Sequence, residues 1–176
     1  DKILLRLPAT LEIAFGAVLV AALVGTLIGV WSAIRVNRMS DHVLRVVSLT
    51  GVSMPAFLLA LLLQLIFGTM LGWLPVSGRI SSHYFFDEVT GFMLIDAWLS
   101  GEPGAMRSTL AHMVLPVAVL ASFLAATLAR FIRASMLEIL DEDFVRTARA
   151  KGLTERRVVL RHMMRPVLTP VVTQLG

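Results

Sequence analysis

The chain has 176 residues, 57% of them apolar, and a mean hydropathy of +0.81. Soluble domains sit near about 45–50% apolar, so lipid is the expected surroundings of much of this chain. It has no cysteine, which excludes disulfides and thiolate metal sites. A net charge of +4 suits nucleic acid or an anionic membrane surface. The basic residues flank apolar runs, and that favours the membrane.

The first apolar run, 13–34, carries no charge. A helix rises 1.5 Å per residue, so roughly 20 residues cross a hydrocarbon core of about 30 Å. A span is therefore expected at about 11–34. Gly25 and Gly29 form a small-xxx-small pair suited to close helix packing. Stretch 3–8 lacks a basic segment followed by a long apolar run, so it does not read as a signal peptide.

A second charge-free run covers 46–77 and is interrupted by Pro55. The expected span is about 46–72, with a helix break at Pro55 that would free the carbonyl of Gly51. Such a group needs a neighbour or water in a cavity. Ser53, Pro55 and Gln64 are therefore candidates for a translocation path or a flexing break. Interhelical hydrogen bonding is an equal reading of the polar members.

The stretch 74–107 is rich in Gly and Pro and holds Arg79 and Arg107 against four acids. Its His83, Asp87 and Glu88 have helix-face spacing, but a solvated loop is the better reading. A third span is expected at about 110–132, and a fourth begins at 166–176. The segments 35–45 and 130–165 hold three and nine basic residues, against one and five acids. The positive-inside rule places both in the cytoplasm and 74–107 outside. Asp1 and the short uncharged end lead us to expect an internal piece of a longer protein.

The long basic loop, 135–165, reads as two short helices. The first is expected over 135–151, stopped by Gly152; the second starts at an N-cap, Thr154, and ends before Pro166. Phe144, Ala148 and Lys151 share a face at i, i+4 and i+7, with Val145 alongside. Three readings fit this pattern: a loop lying on anionic headgroups, a helix-turn-helix DNA reader, and a docking element for a cytoplasmic partner. The flanking spans argue against nucleic acid. No Gly-x-x-x-x-Gly-Lys-Ser/Thr occurs and neither lysine follows a glycine, so a P-loop is excluded.

The stretch Glu142-Asp143-Phe144-Val145-Arg146-Thr147-Ala148-Arg149-Ala150-Lys151-Gly152-Leu153-Thr154 resembles the cytoplasmic signature loop of ABC importer permeases, in their peptide/nickel branch. The likeness continues at Val158, His162, Arg165 and Pro170, and in the blocks 6–12, 51–55, 74–79 and 133–138. The stretch 90–96 is similar to dipeptide permeases in particular. Arg146-Thr147-Ala148 stands where the broad family has Glu-Ala-Ala, as is usual in the peptide branch, and Pro166 replaces a frequent asparagine.

The resemblance implies an all-α, polytopic transmembrane bundle of five or six helices, of which this chain covers the second span to the start of the fifth. It implies a multi-pass protein of the cytoplasmic membrane that passes dipeptides or short peptides inward. The implied partners are a second related permease, two cytoplasmic ATPase subunits, an external solute-binding protein and membrane lipid. No cofactor is expected in this chain; ATP would be bound by the partner subunits. Phe144, Val145, Ala148, Lys151, Gly152 and Leu153 would form the ATPase-coupling loop. A permease for nickel or another small solute, or a non-transporting membrane scaffold with a basic loop, are the alternatives.

Overall fold

The structure is a computed structural model that describes residues 2–34, 54–140, 142–154 and 157–158. In chain order it has α1, Lys2–Ile34, and α2, Ala56–Leu63, which runs on into a π-helical stretch, Gln64–Met70. Then come α3, Met93–Leu99, α4, Ala105–Leu140, and α5, Asp143–Ala150. Among the described residues no strand occurs.

Arg6–Ile34 of α1 and all 36 residues of α4 are long and apolar enough to cross a bilayer. The rest of the chain covers little of them: Phe15, Leu23 and Leu27 are 67%, 63% and 62% exposed. A soluble protein would bury its most apolar helices, so these faces belong against hydrocarbon or other spanning helices.

The second expected span is described only from Met54 onward; Ser53 and the run before it lie outside the described residues. Pro55 stands at the N-terminal edge of α2, and the run expected to be helical before it lies outside the described residues. Pro55 has φ −58° and ψ 137°, and its carbonyl accepts the N–H groups of Leu58 and Leu59 at 3.0 and 3.2 Å. At that position the missing proline N–H costs nothing. Within the described part an irregularity lies in the π-helical stretch. There the chain folds back, Trp73 and Leu74 both donating to the carbonyl of Phe67 at 2.9 and 3.1 Å. Gly68 lies directly under the side chain of Val76. Gln64 Nε2 donates to the Val76 carbonyl at 3.3 Å, so this candidate path residue is engaged with the fold-back.

α4 continues past the expected end of the third span. Residues 135–140, expected in a separate loop helix, are its last turns. The sequence there holds no Gly or Pro and is led by Met, Leu and Glu, and Ile132 and Met136 stay fully buried, so nothing stops the helix before Leu140. Glu142 is then extended, with φ −71° and ψ 145°, and α5 begins after it.

The chain divides into two compact units, 1–20 with 53–123, and 21–52 with 124–176. The first has a core of Ala17, Met93, Ala97, Leu115 and Val117. In the second, Ala21 and Ala33 of α1 are buried, as are Leu128, Ala129, Ile132 and Met136 of α4. There α1 and α4 approach at Gly25 and Gly29. A Cβ at Gly25 would meet the Ala125 carbonyl oxygen at 2.9 Å, and one at Gly29 the Ala129 oxygen at 2.8 Å. Arg133 Nε donates to Ser32 Oγ at 3.1 Å beside this contact.

Candidate functional site

α5 and its stop are the first cluster. Asp143 in the first turn and Arg149 in the last complement the helix dipole. After Ala150 the helix closes in a Schellman motif. The Gly152 N–H donates to the Arg149 carbonyl at 2.9 Å, and the Leu153 N–H reaches back to the Ala148 carbonyl at 3.3 Å. This geometry needs a left-handed residue, and Gly152 has φ +76°. A new turn then opens on the Thr154 carbonyl, which accepts from Arg157 and Val158 at 2.8 and 3.1 Å. The rest of the expected second loop helix, with His162 and Arg165, lies outside the described residues, as do Pro170 and the expected start of a fourth span at 166–176.

The face expected to be continuous is divided. Val145 and Ala148 are buried, at 0% and 5% exposure, and Val158 is fully buried too. Phe144 is 44% exposed, Lys151 and Gly152 are exposed, and Leu153 is half-buried. Val145 and Ala148 thus form an i, i+3 pair on the covered side of α5. The turn bearing Phe144 and the Gly152 stop face outward.

Gly152 allows a clean test of the stop. A Cβ there would meet nothing within 4 Å, so any cost of substitution is conformational. That cost is about 1–2 kcal/mol for an L-residue, and asparagine tolerates the region best. Gly152→Val should therefore raise tryptic cleavage after Lys151 several-fold in the folded protein, while Gly152→Asn stays near wild type. Equal cleavage in all three would remove the stop from the account.

A second cluster lies in the unit containing α3, and sequence reasoning missed it. Glu12 of α1 is 8% exposed at its side chain and pairs with Arg79, Oε2 to Nη2 3.0 Å. Its Oε1 accepts the Leu94 N–H at 2.7 Å. Arg79 Nη2 also donates to the Gly91 carbonyl at 2.8 Å. Asp96, almost wholly buried, accepts from the Thr90 N–H and hydroxyl at 2.9 and 2.7 Å and from the Gly91 N–H at 3.0 Å. Burial pushes the Asp96 carboxyl up, but the hydrogen bonds from Thr90, Gly91 and Val89 outweigh it and hold the group below its ordinary value. The available signal was the charge itself: past Arg6, Glu12 is the only charged residue of α1.

Elsewhere His83 Nδ1 lies 3.1 Å from Ser81 Oγ, and no three His, Asp or Glu side chains gather at metal-binding distance among the described residues. Beside the Glu12–Arg79 pair a cavity of about 70 Å³ is lined by Thr109, His112 and Pro116 of α4.

Comparison with known proteins gives these clusters their context. Residues 25–176 match the family described as binding-protein-dependent transport system inner membrane component. The chain is 47% identical, over 169 residues, to the di/tripeptide transport system permease protein DppB of Pseudomonas aeruginosa strain UCBPP-PA14, covering 96% of this chain and 50% of that protein. It is 43% identical to the dipeptide transport system permease protein DppB of Haemophilus influenzae, over 96% of this chain and 50% of that protein. It is also 43% identical to the protein of that name from Escherichia coli K12, over 97% of this chain and 51% of that protein. The chain thus spans about half the length of these relatives. Spanning helices, the α5 loop and the match over 25–176 together make this all-helical, multi-pass chain a member of the binding-protein-dependent transport system inner membrane component family.

Proposed function

We propose that the whole protein is the permease subunit of an ATP-driven importer, passing dipeptides or other short peptides into the cytoplasm. The observation that carries this is the family match, which runs through α5 and its stop. The names of the relatives support peptides as the cargo. The chain has no P-loop sequence, so the driving energy comes through partners: two cytoplasmic ATPase subunits, with ATP bound there. A second related permease completes the path, and an external solute-binding protein delivers peptide to the side bearing 71–104.

In this reading α5 is the coupling element, and its residues divide the work. Val145 and Ala148 hold the loop to its own unit. Phe144, Lys151, Gly152 and Leu153 meet the ATPase groove, with Phe144 as the apolar anchor. On the membrane side, Pro55 and Gln64 bracket α2, whose described residues are all at least partly exposed. The π-helical stretch after Gln64 gives that span a place to flex, and Ser53 belongs to the same path.

The test is uptake by the full-length permease, assembled with its partners in vesicles. A labelled dipeptide should accumulate only with ATP on the ATPase side and only with the binding protein present. Unlabelled dipeptides should compete and nickel should not. ATP-independent accumulation, or competition by nickel alone, overturns the proposal.

A further inference from the structure

We propose that Glu12 is a positioning residue that bolts α3 and the 90–94 turn to the first part of α1, so that these segments move as one body. The mechanical part stands on the geometry alone; its consequence for transport rests on the permease reading above.

Both carboxylate oxygens of Glu12 are used, and they are used by different segments. One holds Arg79, 67 residues away, and the other holds the Leu94 N–H, 82 residues away. Leu94 is the second residue of α3, where an N–H has no partner within the helix. Phe92, at the N-cap position, supplies no side-chain bond. A carboxylate from a membrane-crossing helix therefore does the work of a local cap.

The contact is braced on both sides. Arg79 joins Glu12 to the Gly91 carbonyl through one nitrogen, Nη2. Asp96 gathers the Thr90 and Gly91 N–H groups from inside the turn. Gly91 has φ +79°, and a Cβ there would sit 3.3 Å from Pro8 Cγ. The turn thus rests directly on α1, one helical turn from Glu12.

A charge here needs a reason. Ionisable groups in spanning helices are costly and persist where they are paired. The Glu12 side chain is 8% exposed and both its oxygens are occupied, which leaves little of it to meet a passing solute. Its value is in fixing one segment to another. Helices that rock between inward- and outward-open states would carry α3 with them, instead of leaving it free over the mouth of the path.

The test uses spin labels at Leu7→Cys and Leu99→Cys in the full-length complex, cleared of other cysteines; this segment has none. Both sites are exposed. Electron–electron distance measurement should give one narrow distribution, the same in nucleotide-free and ATP-trapped complexes. Glu12→Ala should broaden it in both states. Uptake of a labelled dipeptide should fall about tenfold, while basal ATP hydrolysis is unchanged. Glu12→Gln keeps one acceptor for Leu94 and should fall between; it also serves where Glu12→Ala fails to insert. A wild-type distance that shifts between states, or a distribution left narrow by both variants, overturns the bolt. If wild type moves no peptide while the distances behave as stated, the transport reading falls and the bolt stands.

Discussion

Gly29→Val should be among the most destabilising single changes in the described chain. A Cβ at Gly29 would lie 2.8 Å from the Ala129 carbonyl oxygen, 2.9 Å from Ile132 Cβ and 3.0 Å from Ile132 Cγ2. The first of these is backbone of α4 and cannot swing aside, so α1 and α4 must separate. In a membrane this separation is doubly costly. Helix association there depends on close packing, because lipid is as apolar as the side chains. Overpacking in a tight core costs about 1–3 kcal/mol, and the branched valine sits at the upper end. Gly25→Val should behave alike, with Leu128 Cβ and the Ala125 oxygen both 2.9 Å from the added Cβ. Gly16 is the control. Its nearest neighbour is a side-chain methyl, Val117 Cγ2, at 3.1 Å, which need give by only a few tenths of an ångström and is not backbone, so Gly16→Ala should cost far less. The measurement is thermal unfolding of the full-length protein in detergent. The two valine variants should melt well below wild type and Gly16→Ala much closer to it. Three equal melting temperatures would mean that the close approach of α1 and α4 carries no stability.

How far these features were legible depends on how local their physics is. The first and third spans were legible because a bilayer imposes a length and a polarity on consecutive residues; the start of the second and the fourth lie outside the described residues. Gly25 and Gly29 were legible because a four-residue spacing falls on one helix face. Gly152 was legible because only one backbone conformation closes the helix there, and that conformation favours glycine. The division of α5 was not. Its apolar residues, Phe144, Val145 and Ala148, fit more than one arc of the helix, and only the packing partner decides which arc is covered. The end of α4 was hidden for a similar reason, since Ser135 to Leu140 suit a helix whichever one they join. The Glu12 cluster was the least legible. It unites residues 67 and 82 positions apart, and half of its partners are backbone groups that carry no residue signature. The π-helical stretch also lacked a signal, because the side chains of 64–70 are compatible with an ordinary α-helix.

Phe144→Ala and Ala148→Asp should both abolish peptide-stimulated ATP hydrolysis in the assembled complex, but for different reasons. Ala148 is buried, at 5% exposure. An aspartate there must either bury a charge, at a cost of several kcal/mol, or lift α5 from its seat. The loop should then become a protease site before any partner is added. Phe144 projects outward at 44% exposure, so its truncation should leave the isolated permease as protease-resistant and heat-stable as wild type. What it removes is an apolar anchor, worth about 1.5–3 kcal/mol when buried, near the centre of a contact where aromatic residues often dominate. Arg156→Ala serves as the comparison. If the loop only lay on anionic headgroups, loss of this charge should matter more than loss of Phe144, at about 1 kcal/mol per basic residue near the surface. The measurements are limited proteolysis of the permease alone and ATP hydrolysis of the complex, made on all three variants. The proposal expects Ala148→Asp to fail both, Phe144→Ala to fail only the second, and Arg156→Ala to fail neither. Normal coupling in a folded Phe144→Ala complex would move the coupling surface away from α5.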